Sequence, residues 1–186
     1  MTSDRKLRVL LEAGRTVFTL KDLEHLWGYP ATYARLVAKR MADRELIFRI
    51  TRGYYSLHRN FNEYELANVI IRPSYVSLHS ALLFHGISFQ VTTTVSSVAP
   101  IHYEKQVGKM QFVCFAMKDE LLYNMEGIVY KGNIAMAEPE RAILDSFYFG
   151  RLPNADNRDK LNITFLKNLV SYYPHSVREK LMRFIG

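Results

Sequence analysis

Three short stretches of helical apolar spacing, followed at once by β-prone residues around a glycine turn, fill the first sixty residues, and this order leaves few small folds open. Leu7, Leu10 and Leu11 stand at i, i+3 and i+4 of a helix expected over 4–13, which Gly14 is placed to end. Residues 16–18 read as an extended link. Thr19 is an N-cap residue for a second helix over 20–27, where Leu20, Leu23 and Leu26 or Trp27 make one apolar stripe and Gly28 closes the helix. After the Gly28-Tyr29-Pro30 turn a third helix is expected over about 31–44, with Tyr33, Leu36, Val37 and Met41 facing inward. Residues 46–51 and 54–57 are β-prone and flank Arg52-Gly53, which is a hairpin signal. Helix, helix, helix and hairpin predict a winged helix-turn-helix over residues 1–60.

Charge gives this segment a function class. The chain carries a formal +7, and residues 1–60 hold twelve Lys and Arg against six Asp and Glu, whereas residues 61–186 hold thirteen against twelve. Cations concentrated at one end point to a polyanionic partner there, because phosphate binding is driven by counterion release. Thr32, Arg35 and Lys39, at i, i+3 and i+7 of the third helix, share its outer face with Arg40 at the edge, so they are placed to enter a major groove together. Arg49 and Arg52 sit on the arm and tip of the hairpin, within reach of sugar-phosphate beside that groove. The expected DNA-binding set is therefore Thr32, Arg35, Lys39, Arg40, Arg49 and Arg52. A module of three helices and a hairpin also serves for docking on proteins, so an acidic protein partner is the second reading of the same face.

The pattern changes at Asn60-Phe61-Asn62, and residues 61–186 are expected to form a mixed α/β domain, making the whole chain α+β. Helices are expected over 63–71 and 78–85, strands over 89–98, 111–117 and 127–130, a helix opened by Glu138-Pro139-Glu140, and two terminal helices over 165–173 and 177–185. Ser77 is expected to cap the helix over 78–85, and His85 to lie in its last turn. Residues 73–103 contain no Asp, Glu, Lys or Arg, yet polar residues interrupt every apolar run, so this stretch is expected to be core and not a membrane span. The opening residues lack a secretory apolar region, and the single Cys114 cannot form an internal disulfide or a thiolate metal site; both suit a cytoplasmic address.

Three separated segments carry a family likeness. Residues 62–68 (NEYELAN), 73–86 (PSYVSLHSALLFHG) and 137–145 (AEPERAILD), together with the hairpin arm GYYSL at 53–57, resemble the AbiEi family of antitoxins over about residues 5–150. The resemblance implies an N-terminal winged helix that represses its own operon at inverted repeats. It also implies a C-terminal domain that counters a nucleotidyltransferase-like toxin encoded alongside. Asp43-Arg44-Glu45 stands where such domains often have a glycine ending the recognition helix, and the part after Arg151 is short. Homodimers or cooperative pairs are expected on DNA, since one such module makes few contacts.

Enzyme motifs are missing. The only acid-x-Lys triplet, Asp4-Arg5-Lys6, falls in the first helix, away from a second acid on a strand. There is no phosphate-binding glycine pattern and no His-x-x-x-His pair. Glu138 and Asp145 share a helix face but are explained by capping and ion pairing. No catalytic residue, metal or cofactor is expected.

Overall fold

The computed structural model describes residues 1–186, which divide into two compact units, Met1–Ile70 and Ile71–Gly186. It is a mixed α and β protein, and no helix is long and apolar enough to cross a membrane.

The first unit contains α1 (Ser3–Glu12), β1 (Val17–Thr19), α2 (Leu20–Trp27), α3 (Ala31–Asp43), β2 (Phe48–Thr51), β3 (Tyr54–Ser56) and α4 (Glu63–Ile70). The expected second helix forms with its cap: Thr19 Oγ1 accepts from Asp22 N–H while the Asp22 carboxylate accepts from Thr19 N–H, so two free helix-end donors are satisfied. Gly28 closes α2 at φ +65°. The link before α2 turns out to be a strand, because β3 has a free edge and β1 pairs on it antiparallel, giving the order β1-β3-β2. Leu10, Phe18, Leu23, Trp27, Ala34, Val37, Ala38, Met41, Ile47 and Tyr55 form the core between the three helices and this sheet. The inward face of α3 is therefore Ala34, Val37, Ala38 and Met41. Tyr33 and Leu36, expected inside, are exposed, because small alanines let the neighbouring helices come close and take the buried positions.

The unit does not stop at residue 60. Glu65 of α4 is buried and its carboxylate accepts from Thr16 N–H at 2.7 Å, Val17 N–H at 3.2 Å and the Thr16 hydroxyl, so α4 is fastened to β1. The boundary expected after residue 60 falls instead after Ile70.

The second unit has a six-stranded mixed sheet in the order β6-β7-β5-β4-β9-β8, built from β4 (Tyr75–Val76), β5 (Thr94–Ala99), β6 (Tyr103–Val107), β7 (Met110–Ala116), β8 (Ile128–Lys131) and β9 (Ile134–Ala137). Pairs β5·β7 and β4·β9 are parallel and the rest antiparallel. The helices are α5 (Leu78–Phe84), α6 (Asp119–Leu122), α7 (Pro139–Tyr148), α8 (Ile163–Leu169) and α9 (His175–Ile185), and a short 3-10 turn spans Arg158–Lys160. The uncharged stretch is core only in part: Tyr75, Val76, Leu82 and residues 95–99 are buried, while Phe89 and Val91 lie in an exposed loop.

Arg141 and Asp145, one turn apart on α7, are both fully buried and 3.4 Å apart. Asp145 accepts from the Ser77 hydroxyl at 2.6 Å, the Tyr173 hydroxyl at 2.6 Å and the Tyr75 hydroxyl at 3.1 Å. The Arg141 guanidinium donates to the carbonyls of Leu121, Asn124 and Glu126 and to the Tyr75 hydroxyl. Buried charges persist when they are paired and hydrogen-bonded, and here one pair ties α7 to β4, to the α6–β8 loop and to the segment before α9. Burial holds the Asp145 carboxyl above the ordinary aspartate value, the attraction of Arg141 and the three hydroxyls acting against it. Gly127 belongs to this arrangement: at φ +76° a Cβ there would stand 3.0 Å from Arg141 Cβ.

Candidate nucleic-acid interface

The cationic side chains of the first unit meet at one place. α3 runs beside the β2–β3 hairpin, and between them lies an open groove of about 740 Å³ lined by Arg35 and Lys39 from α3, Arg49 and Arg52 from the hairpin, and Arg59 from the segment after β3. All five side chains are exposed. Their placement follows from local structure. Burial of Ala34, Val37, Ala38 and Met41 turns Arg35 and Lys39 away from the core. In β2, Arg49 pairs with Tyr55 of β3, and the ladder shifts register between Arg49 and Thr51. Gly53, at φ +86°, makes the turn that carries Arg52 to the tip, and its carbonyl accepts from Leu20 N–H at 2.8 Å, which holds the tip against the start of α2.

Two acids share the groove, Asp43 and Glu45. Glu45 pairs with Arg59 at 3.0 Å, and both side chains are 71% exposed. Such a pair contributes little stability, about 0–1 kcal/mol, so Arg59 can exchange its carboxylate for a phosphate at small cost. Arg35, Lys39, Arg49 and Arg52 have no carboxylate partner within 4 Å. Glu45 also occupies the position after α3 where glycine is favoured: at φ +55°, it lies between the bonds Glu45 N–H to Ala42 O and Leu46 N–H to Met41 O, a Schellman ending formed on a non-glycine residue.

Of the six residues expected from sequence, Arg35, Lys39, Arg49 and Arg52 line the groove, while Thr32 and Arg40 are exposed on α3 outside it. Arg40 falls on the flank of α3 shared with Tyr33, whose ring packs edge-on against Tyr29. Arg59 was not expected. It lies beyond β3, and only the pairing of Phe48 with Ser56 brings the chain after β3 alongside the end of α3, where the Arg59 guanidinium stands 5.2 Å from the Phe48 ring centroid.

No protein family model and no curated protein matches this chain.

The other chemically distinctive groups are accounted for by packing. Cys114 is buried beside Ser97, and burial pushes its thiol above the ordinary value, away from the reactive thiolate. His85 is the C-cap residue of α5, its backbone N–H donating to the Ala81 carbonyl at 3.0 Å, while its side-chain Nε2 lies 3.1 Å from the Ala137 carbonyl and bridges to β9. Ser77 stands at the N-cap position of α5 yet its side chain makes no capping bond; its hydroxyl donates to Asp145 at 2.6 Å. No group of three His, Cys, Asp or Glu side chains is arranged to hold a metal ion.

Proposed function

We propose that the first unit is a winged-helix module that binds double-stranded DNA, with α3 in the major groove and the hairpin along the adjacent backbone. One observation carries the reading: five cations from three separate segments converge on a single open groove, and four of them are unpaired. Their spacing on α3 suits entry into a groove wide enough for a helix, and their long side chains suit bidentate contacts to guanine or to phosphate. The chain then acts as a repressor of its own operon by occluding the promoter. Two copies on an inverted repeat, with half-sites about 10 bp apart or a multiple of it, provide the affinity that one module lacks.

The antitoxin role rests on the AbiEi resemblance, with a nucleotidyltransferase-like toxin as the functional counterpart. This reading requires no catalytic step, metal or cofactor. Titrating the full chain with fragments of its own promoter and with random DNA at matched salt tests the DNA reading. The expected result is a preference for the promoter of about a thousandfold or more, which Arg35→Ala combined with Lys39→Ala reduces sharply. Equal affinity for both fragments overturns the repressor reading and favours docking on an acidic protein. Rescue of growth in cells expressing the neighbouring toxin tests the antitoxin role.

A further inference from the structure

A second cationic site lies in the other unit and has no part in the reading above. Between the end of α7 and the outer face of α9 is a pocket of about 370 Å³, walled by Phe147 and Phe184 and rimmed by Arg151, Arg158, Lys180 and Arg183. Lys180, Arg183 and Phe184 stand at i, i+3 and i+4 of α9, so one helix face supplies two cations and a ring. The two rings pack edge to face with centroids 5.6 Å apart, and the Arg158 guanidinium lies 4.2 Å from the Phe184 centroid. No carboxylate lines the pocket. Residues 71–186 contain thirteen Lys and Arg and ten Asp and Glu, so a face made only for solubility would intersperse the signs, whereas here four cations gather with no acid.

Packing explains half of the cluster. Lys180 donates to the Phe147 carbonyl at 2.9 Å and Arg158 to the Phe184 carbonyl at 3.3 Å, which satisfies the ends of α7 and α9. Each has further donors left over. The guanidinium groups of Arg151 and Arg183 make no hydrogen bond or ion pair within the protein; Arg151 rests on the Phe115 ring at 4.7 Å. Four like charges around one small pocket repel one another until an anion arrives, and they ask for more than one negative charge. A monocarboxylate would leave most of that charge uncompensated. Inorganic phosphate would leave the apolar side of the pocket, Leu152 and the Phe184 ring, unfilled.

We propose that this pocket binds a nucleoside phosphate, its phosphates on Arg151 and Arg183 with Lys180 and Arg158 alongside, and its base against the part-exposed Phe184 ring and Leu152. Guanidinium forks match phosphate oxygens, bases stack on phenyl and guanidinium planes, and the volume is within the range of small-ligand sites. The same chemistry is offered by a free mononucleotide and by the terminal nucleotide of a single strand.

The test uses the full chain and ATP as the probe, followed by calorimetry and by chemical-shift changes in α9. Arg151→Gln with Arg183→Gln removes the two cations that make no hydrogen bond or ion pair, both at exposed positions, and leaves both helix-end bonds in place. It is expected to weaken ATP binding at least tenfold, given the usual worth of charge-assisted bonds. Phe184→Leu keeps the packing against Phe147 but is expected to weaken ATP more than inorganic triphosphate. Arg35→Gln with Lys39→Gln, in the other unit, is expected to leave ATP binding unchanged. A 5′-phosphorylated single strand that displaces ATP identifies the strand end as the occupant, and one that does not identifies the free nucleotide. Absence of ATP binding by the wild-type chain, equal binding by the Arg151/Arg183 variant, or loss caused instead by the Arg35/Lys39 variant overturns the proposal.

Discussion

Salt dependence gives the groove of the first unit its sharpest test, because each phosphate neutralised by a cation releases counterions in a known proportion. Arg35, Lys39, Arg49 and Arg52 line the groove without carboxylate partners. If each meets one phosphate, the slope of log K against log salt is about −3.6, and affinity falls about 150-fold between about 50 and 200 mM salt. Replacing Arg49 and Arg52 by alanine removes the hairpin's share, so the slope becomes about −1.8 and the same salt change costs only about 12-fold. The loss should be alike on promoter and random fragments, since backbone contacts carry no sequence information. Glu45→Gln moves the slope the other way, steepening it by about 0.9, because Arg59 is released from its 3.0 Å pair to join the groove. Fluorescence anisotropy with a labelled duplex at four salt concentrations measures all three slopes. An unchanged slope for the Arg49/Arg52 variant, or a flatter one for Glu45→Gln, would refute the assignment of this groove to DNA.

Four further outcomes concern stability. Glu45→Gly relieves the left-handed conformation after α3 and should raise stability by roughly 0.5–1 kcal/mol in urea titration; a loss would mean that the Arg59 pair outweighs the backbone strain. Asp145→Asn leaves the fully buried Arg141 guanidinium without its counter-charge and should cost about 3–5 kcal/mol, with a change under about 1 kcal/mol contradicting the network's structural role. Gly127→Ala forces a Cβ to 3.0 Å from Arg141 Cβ at φ +76° and should cost about 2 kcal/mol or more by thermal unfolding, exceeding Gly150→Ala, which at φ +69° bears only the left-handed backbone cost of about 1–2 kcal/mol because nothing crowds its Cβ. His85 is held below its ordinary value, chiefly by burial, so its unfolded form binds a proton more readily. Its contribution to stability is present above about pH 6.5 and lost as pH falls through the lowered value, and His85→Gln should flatten that part of the stability profile.

What could be read from the sequence depended on whether the signal was local. The ends of α2 were legible in Thr19, Asp22 and Gly28, which make their bonds within a turn of chain. The hairpin was legible in Arg52-Gly53 between two β-prone runs. Strands β1, β4, β6 and β9 were not, because two to four residues are too few to show alternation and the polar β6 sequence Tyr-Glu-Lys-Gln-Val lies at a sheet edge with one face in water. The inward face of α3 was misjudged for a related reason. Tyr33 and Leu36 are the larger apolar residues, but close helix packing selected the alanines at 34 and 38. Four of the six expected contact residues share the groove because helix period and hairpin geometry are local, whereas Arg59 depends on pairing between residues eight apart in sequence and on the path that follows.

The segments that carry the family likeness have a physical reading of their own. Tyr75 and Ser77 of PSYVSL and Arg141 and Asp145 of EPERAILD are one hydrogen-bonded group in the core of the second unit. Glu140 accepts from Asn162 N–H at 2.6 Å, and Glu65 of NEYELAN fastens α4 to β1 in the first unit. Nearly every polar residue in these segments that can be assigned a role is spent inside a unit, where a change of one partner strands a buried charge and is costly. Residues of this kind specify a fold, and proteins that share them can differ freely on their surfaces. A likeness at such positions bears on how each unit is built, and what the second unit contacts has to be sought among exposed groups with unused donors. In the second unit Arg151 and Arg183 are two such groups that line one pocket, so nucleotide titration of the variant lacking both addresses its function more directly than any substitution within these segments.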